Sequence, residues 1–344
     1  MNPPGSRELR FDATSGDWVI VAPSRELRPH DPVPSASVAG PRPSRVAGCP
    51  FCPGNESMTP PERWRLADAA NGWKLRAVPN RFPLLDSEPA QQPQRDALGW
   101  RTSAATGRHE VLIESPRHDW DLSTATTDEV RDVLLAYRDR YRALQEEGPA
   151  LIAVFRNYGR ASGTSLDHPH SQLVALPVVP APTRRRLDIA RRHLDETGRC
   201  LYLDLLEREM ADGRRILIED DGFVAFQPFA ASMPYETWIV PRRERASFGA
   251  LTEVAVPALA RMLRDLLMAL RLQLEDPPYN LVISSVPPAD EGTRYFVWHL
   301  KVLPRVTIPA GLELGWGVAV NPSLPEATAR ELRDALHAVR QAGP

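Results

Sequence analysis

Hydrophobic residues recur along this chain with two different periods, which predict α-helices and β-strands in turn. In Thr127–Gln145 the apolar positions approach the i, i+3, i+4, i+7 spacing of an amphipathic helix, and a threonine cap precedes them. Similar spacing predicts helices at residues 183–210, 251–274 and 325–341. Runs of β-branched or alternating residues predict strands at residues 18–22, 110–115, 151–155, 168–176, 222–227, 237–240, 281–285 and 295–303. Each half of the chain therefore contains strands, a helix and two further strands, in that order.

This repeated order predicts an α+β protein made of two similar domains. A proline-rich stretch, PVVPAP at residues 177–182, lies between the halves and is typical of a linker. The chain has 344 residues, about twice the length of a typical single domain. We therefore expect one domain over residues 1–178 and a second over residues 179–344.

The charge balance excludes several classes of partner. Lys and Arg total 42 against 44 Asp and Glu, a formal net charge of −2, so no global basic field attracts nucleic acid or an anionic membrane. No stretch approaches the roughly 18 apolar residues of a membrane helix, and the first residues lack the apolar segment of a signal peptide. Three cysteines do not make a disulfide framework. We expect a cytoplasmic protein.

The segment NYGRASGTSLDHPHSQ indicates phosphoryl chemistry. His168, His170 and Gln172 alternate, and alternate side chains of a strand share one face. The preceding loop is rich in Gly, Ser and Thr, which lets backbone N–H groups approach an oxyanion. A neutral imidazole is a good nucleophile towards phosphorus, and a glutamine can donate to a phosphoryl oxygen without adding a charge.

A second motif, Cys49-Pro-Phe-Cys52-Pro-Gly, has two common uses, a redox pair or half of a zinc site. A redox pair usually opens a helix, and the Pro-Gly that follows makes this use less favourable. Zinc needs two further ligands. The motif alone does not choose them among the histidines, which are His30, His109, His118, His168, His170, His193, His299 and His337.

Six strings together carry a family resemblance. CPFCPGNE, NRFP, HEVLIESPRH, NYGRASGTSLDHPHSQ, PFAASMPYETWIVP and FVWHLKVLPR occur in this order. They resemble the galactose-1-phosphate uridylyltransferases of the histidine-triad superfamily, from about Trp18 to Pro304. The resemblance implies two histidine-triad-like domains, each a curved antiparallel sheet with helices, a homodimer, and a role in galactose metabolism.

The resemblance also implies a ping-pong transfer of UMP. His170 matches the nucleophile that attacks the α-phosphorus of a UDP-hexose, releases hexose-1-phosphate and holds UMP until a second hexose-1-phosphate removes it. Gln172 matches the residue that hydrogen-bonds the bound phosphoryl group.

Ligand and substrate positions follow from the same resemblance. The implied zinc ligands are Cys49, Cys52, His118 and His168, so that His168 anchors the strand that carries His170. The residues implied to contact nucleotide or phosphates are Arg25, Arg28, Asn80, Arg81, Phe82, Asn157, Gly163, Thr164 and Ser165, with at least one of the two arginines acting across a dimer interface.

The second half departs from the family pattern. Some members bind iron there through several histidines, but Ser284 and Lys301 stand at two of those positions and only His299 remains, so we expect no iron. In the segment with which family members contact the hexose, Trp316-Gly317 stands in place of the family's Tyr-Glu. This version is similar to the branch containing ADP-glucose phosphorylase, which transfers AMP to inorganic phosphate.

These motifs are compatible with three functions. The uridylyltransferase activity leads, and phosphorolysis of a nucleoside-diphosphate sugar or a dinucleoside polyphosphate is the alternative. A catalytically silent, zinc-containing nucleotide-binding protein is a third possibility, which the intact His170 and Gln172 disfavour. A nucleic-acid-binding zinc module is disfavoured by the missing basic charge and the absence of a finger-like histidine pair.

Overall fold

The computed structural model describes residues 6–27, 42–69, 72–87, 94–243 and 245–342. The strands in these residues are β1 (Glu8–Asp12), β2 (Asp17–Val21), β3 (Trp64–Leu66), β4 (Leu75–Pro79), β5 (Gln94–Arg95), β6 (Arg101–Thr102), β7 (Arg108–Ile113), β8 (Leu151–Tyr158), β9 (His170–Leu176), β10 (Ile216–Glu219), β11 (Phe223–Phe226), β12 (Thr237–Pro241), β13 (Tyr279–Ser284), β14 (His299–Pro304) and β15 (Val320–Asn321). The helices are α1 (Thr127–Gln145), α2 (Ala181–Thr197), α3 (Leu201–Asp212), α4 (Val256–Gln273), α5 (Gly311–Trp316) and α6 (Pro325–Ala342).

Ten strands form one antiparallel sheet in the order β10-β11-β12-β14-β13-β8-β9-β7-β4-β3. Five of them come from each half of the chain. In each half the fifth strand lies between the third and the fourth, and the two fourth strands, β8 and β13, pair at the centre with Asn157 opposite Asn280. The halves thus share one topology, as their repeated element order predicts. A separate sheet joins β15 to the N-terminal hairpin of β1 and β2.

The two faces of the large sheet are covered differently. Helices α1, α4 and α6 pack on one face, in a core that includes Leu134, Leu266 and Leu332 and extends across both halves. On the opposite face, α2 and α3 cover the second half. In the first half a loop containing Cys49 and Cys52 packs there instead, against Val78, Val111 and Ile113 of β4 and β7. A loop covers less of the sheet than two helices do, and the candidate site lies at its edge.

Several predicted elements are confirmed, and others differ from the structure. Helix α1 has the predicted bounds, and a capping box between Thr126 and Glu129 fixes its start. The single helix predicted over residues 183–210 is two helices, because Gly198 ends α2 with a left-handed φ of 71°. The strand predicted at residues 168–176 begins at His170, so His168 precedes it.

The α+β class is confirmed. The division at residue 178 stays a prediction, and the strands of both halves join in one sheet across it. Among the described residues, no helix is long and apolar enough to span a lipid bilayer.

A buried charged network ties the two halves together at the centre of the sheet. Arg156 on β8 donates from Nε to Glu114 (2.8 Å) and from Nη1 to the Tyr279 hydroxyl on β13 (2.7 Å). Glu114 also accepts from the Tyr137 hydroxyl (2.7 Å) and from Ser171 beside the candidate nucleophile. The Arg156 and Glu114 side chains are at most 2% exposed. Each charge is therefore compensated only while its partners remain in place.

Replacing Arg156 with methionine tests this network. Arg156→Met leaves the Glu114 carboxylate buried without its counter-charge, and we expect a loss of about 3–5 kcal/mol in the free energy of unfolding. Arg131→Met is the matched control, because Arg131 on α1 pairs with Asp128 at the surface, and should cost less than about 1 kcal/mol. Urea unfolding measures both. Equal losses would contradict a stabilising role for the buried pair.

Candidate active site and metal centre

Four buried side chains converge beside the start of β9. The ligand atoms of Cys49, Cys52, His118 and His168 all lie within 4.8 Å of one another. The His168 Nδ1 atom is 3.6 Å from each sulfur and 3.2 Å from His118 Nδ1, and Cys52 Sγ is 3.6 Å from His118 Nδ1. Among the described residues, this is the group of histidines, cysteines and carboxylates whose geometry suits a metal ion.

The donor set and its spacing fit zinc. Bond lengths of about 2.3 Å to sulfur and about 2.05 Å to nitrogen in a tetrahedral site place ligand atoms about 3.6 Å apart for S–N and about 3.3 Å apart for N–N. His168 donates from Nε2 to the Ser115 carbonyl (2.8 Å), which leaves the lone pair of Nδ1 directed at the sulfurs. These residues would hold the ion expected from the sequence.

Burial determines which of these four side chains carry protons when no metal ion is bound. It raises the pKa of the Cys49 thiol to about 11 and lowers the pKa of His168 to about 4, since the apolar surroundings of both side chains disfavour charge. The imidazole is thus neutral and able to coordinate. A divalent cation among the four donors would displace the thiol protons.

His170 presents one defined nitrogen to the adjoining cleft. Its Nδ1 atom lies 2.8 Å from the His168 carbonyl, an acceptor, so Nδ1 carries the proton and Nε2 holds the free lone pair. Burial lowers the pKa of His170, which keeps the ring neutral. The cleft is lined by residues that include Arg42, Asn157, Thr164 and His170. The arrangement is that of a nucleophilic imidazole with a fixed tautomer.

The glycine-rich loop predicted to hold phosphate lies beside His170. Gly159 and Gly163 have φ values of 79° and 91° on either side of a short 3₁₀ turn, a backbone conformation that favours glycine. Asn280 on β13 donates to Asn157 Oδ1 (2.8 Å) and to the Ser162 carbonyl (2.9 Å), so the second half braces this loop. The structure therefore brings together the predicted contacts Asn157, Gly163, Thr164 and Ser165.

The loop after β4 contacts His109, which in turn contacts Gln172. Asn80 donates its backbone N–H to the His109 carbonyl (2.8 Å), and its side-chain oxygen accepts from the Phe82 N–H (2.9 Å). Arg81 and Phe82 project into solvent, with Phe82 80% exposed. His109 lies between this loop and Gln172, 2.8 Å from the Gln172 Oε1 atom.

Several predicted substrate contacts do not line this cleft, Asn80, Arg81 and Phe82 among them. Arg25 lies exposed in a 3₁₀ turn after β2, and Trp316 ends α5 with 83% of its surface exposed. Neither lines the cleft at His170. Arg28 lies outside the described residues. Their roles stay predictions.

The second half carries a histidine in the same setting as the nucleophile. His299 begins β14, as His170 begins β9, and its Nδ1 lies 2.9 Å from the carbonyl two residues before it. Its ring, however, stacks on Trp238 at 4.7 Å and contacts Tyr202 at 5.2 Å, and is 1% exposed. His299 is therefore a packed residue. The expected absence of iron stays a prediction.

Sequence reasoning gave no separate role to His109, Asn280 or Arg42. His109 stood only among the possible zinc ligands, and its contact with Gln172 depends on the register of β7 against β9. Asn280 meets Asn157 only because the two halves pair through β8 and β13. Arg42 follows a proline-rich segment, and it lines the cleft through tertiary folding.

Comparison with known proteins identifies the family to which the chain belongs. Residues 3–180 match the family described as galactose-1-phosphate uridyl transferase, N-terminal domain. An ADP-glucose phosphorylase of Arabidopsis thaliana is 36% identical over 333 residues, covering 96% of this chain and 93% of that protein. The chain belongs to the galactose-1-phosphate uridylyltransferase family. As a member of this family it is a nucleotidyltransferase, which confirms the resemblance drawn from its motifs.

Other members of the family are similar to this chain over nearly its full length. The galactose-1-phosphate uridylyltransferase of Thermotoga maritima is 26% identical over 336 residues, covering 95% of this chain and 98% of that protein. The crystal structure of the Arabidopsis thaliana ADP-glucose phosphorylase with bound ADP-glucose matches with a TM-score of 0.80 at 33% identity, covering 96% and 99% of the two chains. A structure of uridylyltransferase matches with a TM-score of 0.74 at 30% identity, covering 97% and 99%.

The metal group can be tested by removing one thiol. Cys49→Ser should lower the zinc content well below one ion per chain and reduce the Tm by roughly 10 °C, because metal binding and folding are coupled. Cys200→Ser is the control, since Cys200 lies buried at the N-terminus of α3, outside the group, where serine is a favourable cap. Elemental analysis and thermal unfolding provide the two readings. Unchanged zinc content in Cys49→Ser would contradict the assignment.

Proposed function

We propose that this protein is a hexose-1-phosphate nucleotidyltransferase of the uridylyltransferase type, which moves UMP from a UDP-hexose to a second hexose-1-phosphate. The observation that carries the proposal is the single free nitrogen of His170, which faces a cleft bordered by a glycine-rich loop, with Gln172 two residues further along the same strand. Membership of the family supports the same chemistry.

The first step forms a phosphorus–nitrogen bond. His170 Nε2 attacks the α-phosphorus of the sugar nucleotide, and the bond from that phosphorus to the bridging oxygen breaks. The hexose-1-phosphate leaves with the bridging oxygen and its electron pair. The ring becomes cationic while Nδ1 keeps its proton, and the hydrogen bond to the His168 carbonyl (2.8 Å) stabilises that charge.

The second step reverses the first with a different acceptor. A phosphate oxygen of another hexose-1-phosphate attacks the phosphorus, the phosphorus–nitrogen bond breaks, and the electron pair returns to Nε2. Gln172, two residues further on the same strand face, donates to the phosphoryl oxygens in both steps without titrating. Zinc, when bound by the four-residue group, fixes the position of His168 and so the direction of β9.

A homodimer in the cytoplasm is part of this proposal. Arg25 and Trp316 are exposed and lie away from the cleft of their own chain. We infer that they complete the site of a second copy, where Arg25 would meet phosphate and Trp316 the hexose. Arginine suits this role because its fork of donors matches phosphate oxygens.

One specific observation favours a second candidate, the phosphorolysis of ADP-glucose. The relative with that name is 36% identical to this chain, against 26% for the Thermotoga maritima uridylyltransferase. Trp316-Gly317 also stands where the uridylyltransferases have Tyr-Glu. The first step would be the same with AMP in place of UMP, and inorganic phosphate would then remove the nucleotide from His170.

Donor and acceptor can be separated by intact-protein mass spectrometry. After incubation with UDP-glucose alone, we expect a mass gain equal to a uridylyl group (UMP less one water), which galactose-1-phosphate discharges and inorganic phosphate does not. A gain equal to an adenylyl group (AMP less one water) from ADP-glucose, discharged by phosphate, would instead establish the phosphorylase. No adduct with either donor would contradict both candidates.

Replacing the nucleophile separates catalysis from metal binding. His170→Ala should reduce turnover on the order of 10⁴-fold or more, because no other group can form the intermediate. Its zinc content and Tm should remain those of the native protein, since His168 holds the metal group. His337→Ala, at an exposed position on α6, is the control for loss of a histidine. Loss of zinc from His170→Ala would contradict this division of roles.

A further inference from the structure

We infer that His109 is a positioning residue that determines which end of the Gln172 amide faces the phosphoryl group. The inference rests on the proposed function of His170 and Gln172. The two ends of a primary amide differ little in shape, so sterics alone do not orient it. One end donates hydrogen bonds, whereas the other presents an oxygen that repels a negatively charged phosphoryl oxygen. Catalysis by Gln172 therefore requires a partner that holds its carbonyl.

The strand register places His109 where it can be that partner. On the paired strands β7 and β9, Val111 lies opposite Gln172 and His109 lies opposite Val174. His109 and Gln172 are thus diagonal neighbours on one face of the sheet, a spacing within reach of long side chains. The His109 ring is 6% exposed, and its Nε2 atom lies 2.8 Å from Gln172 Oε1.

Backbone geometry decides the tautomer of His109. The Leu84 N–H points at His109 Nδ1 (3.2 Å), and a backbone N–H can only donate, so Nδ1 carries the lone pair. In the neutral ring the proton is therefore on Nε2. Burial lowers the pKa of His109 and favours this neutral form.

Only one acceptor then faces the Nε2 proton. Asn80 Nδ2 lies 3.1 Å from His109 Nε2, but the Asn80 oxygen accepts from the Phe82 N–H, so Asn80 presents its nitrogen here. Of the two side chains near Nε2, Gln172 alone offers an oxygen. The bond from His109 holds the Gln172 carbonyl and leaves the amide N–H groups for the phosphoryl group on His170.

The same contacts connect Gln172 to the loop after β4. Both Asn80 and Leu84 donate backbone N–H groups to His109, the first to its carbonyl and the second to its ring. The loop predicted to contact the nucleotide therefore also holds the ring that orients Gln172. His109 has no need to touch the reacting atoms to influence the rate.

A double-mutant cycle tests whether His109 acts through Gln172. The readout is the single-turnover rate of nucleotidyl-enzyme formation from UDP-glucose and from ADP-glucose, followed by mass. His109→Phe keeps a ring but loses the donor, and should slow the step about 10- to 100-fold, less than the 10²- to 10³-fold typical of losing an oxyanion donor outright. In the Gln172→Ala variant, adding His109→Phe should change the rate by less than about 2-fold.

Two further variants separate positioning from folding. His109→Gln restores a hydrogen-bond donor near the Nε2 position and should react faster than His109→Phe. The sugar-nucleotide concentration that gives the half-maximal rate should be unchanged in both variants. His337→Phe makes the same chemical change at an exposed site on α6 and should leave the rate unaltered. The inference would be overturned if His109→Phe slowed the Gln172→Ala variant as much as it slows the native protein. A His109→Gln rate no higher than that of His109→Phe would also overturn it.

A spectroscopic measurement decides the hydrogen bond independently of turnover. In protein labelled with ¹⁵N-histidine, two-bond proton–nitrogen correlations report the tautomer of each ring, and His109→Gln identifies the His109 signals. We expect a neutral ring protonated at Nε2. A ring protonated at Nδ1, or at both nitrogens at neutral pH, would overturn the inference. If the native protein forms no adduct with either sugar nucleotide, the proposed function fails, while this measurement still decides whether His109 donates to Gln172.

Discussion

The proposed reactivity of this site depends on the hydrogen bond from His170 Nδ1 to the His168 carbonyl. A neutral imidazole has one lone pair, and this bond places it on Nε2, at the cleft. The carbonyl is itself held firmly, because the ring of His168 binds the Ser115 carbonyl through Nε2 and the cysteine and histidine group through Nδ1. The candidate metal group, the strand and the proposed nucleophile therefore share one short segment of backbone, although the metal group lies outside the proposed reaction.

The two halves of the sheet explain why, of this similar pair of histidines, His170 faces a cleft and His299 does not. His299 in the second half makes the same backbone hydrogen bond as His170. There, helices α2 and α3 cover the sheet and aromatic rings enclose the imidazole. In the first half a cysteine-containing loop takes the place of those helices and leaves a cleft. The second half instead supports the site, through Asn280 at the glycine-rich loop and Tyr279 in the buried network.

Local patterns were sufficient for some parts of this account and insufficient for others. Helix α1 follows from its apolar spacing and cap, and the metal group from motifs that match a known family. The break at Gly198 was missed, because apolar spacing continues through it and one glycine interrupts a helical pattern only weakly. The role of His109 depends on the pairing of β7 with β9, and strand register is a tertiary property that a single strand does not encode. The roles proposed for Arg25 and Trp316 require a second copy of the chain.

The most direct test of the central claim is the identity of the nitrogen that carries the nucleotide. The nucleotidyl-enzyme, prepared with ¹⁵N-histidine and a sugar nucleotide, can be examined by phosphorus–nitrogen coupling after the modified peptide is identified. The geometry predicts a bond from phosphorus to Nε2 of His170, with Nδ1 still protonated. A bond to Nδ1, or to any other histidine, would contradict the account, because the His168 carbonyl would then not be what directs the nucleophile.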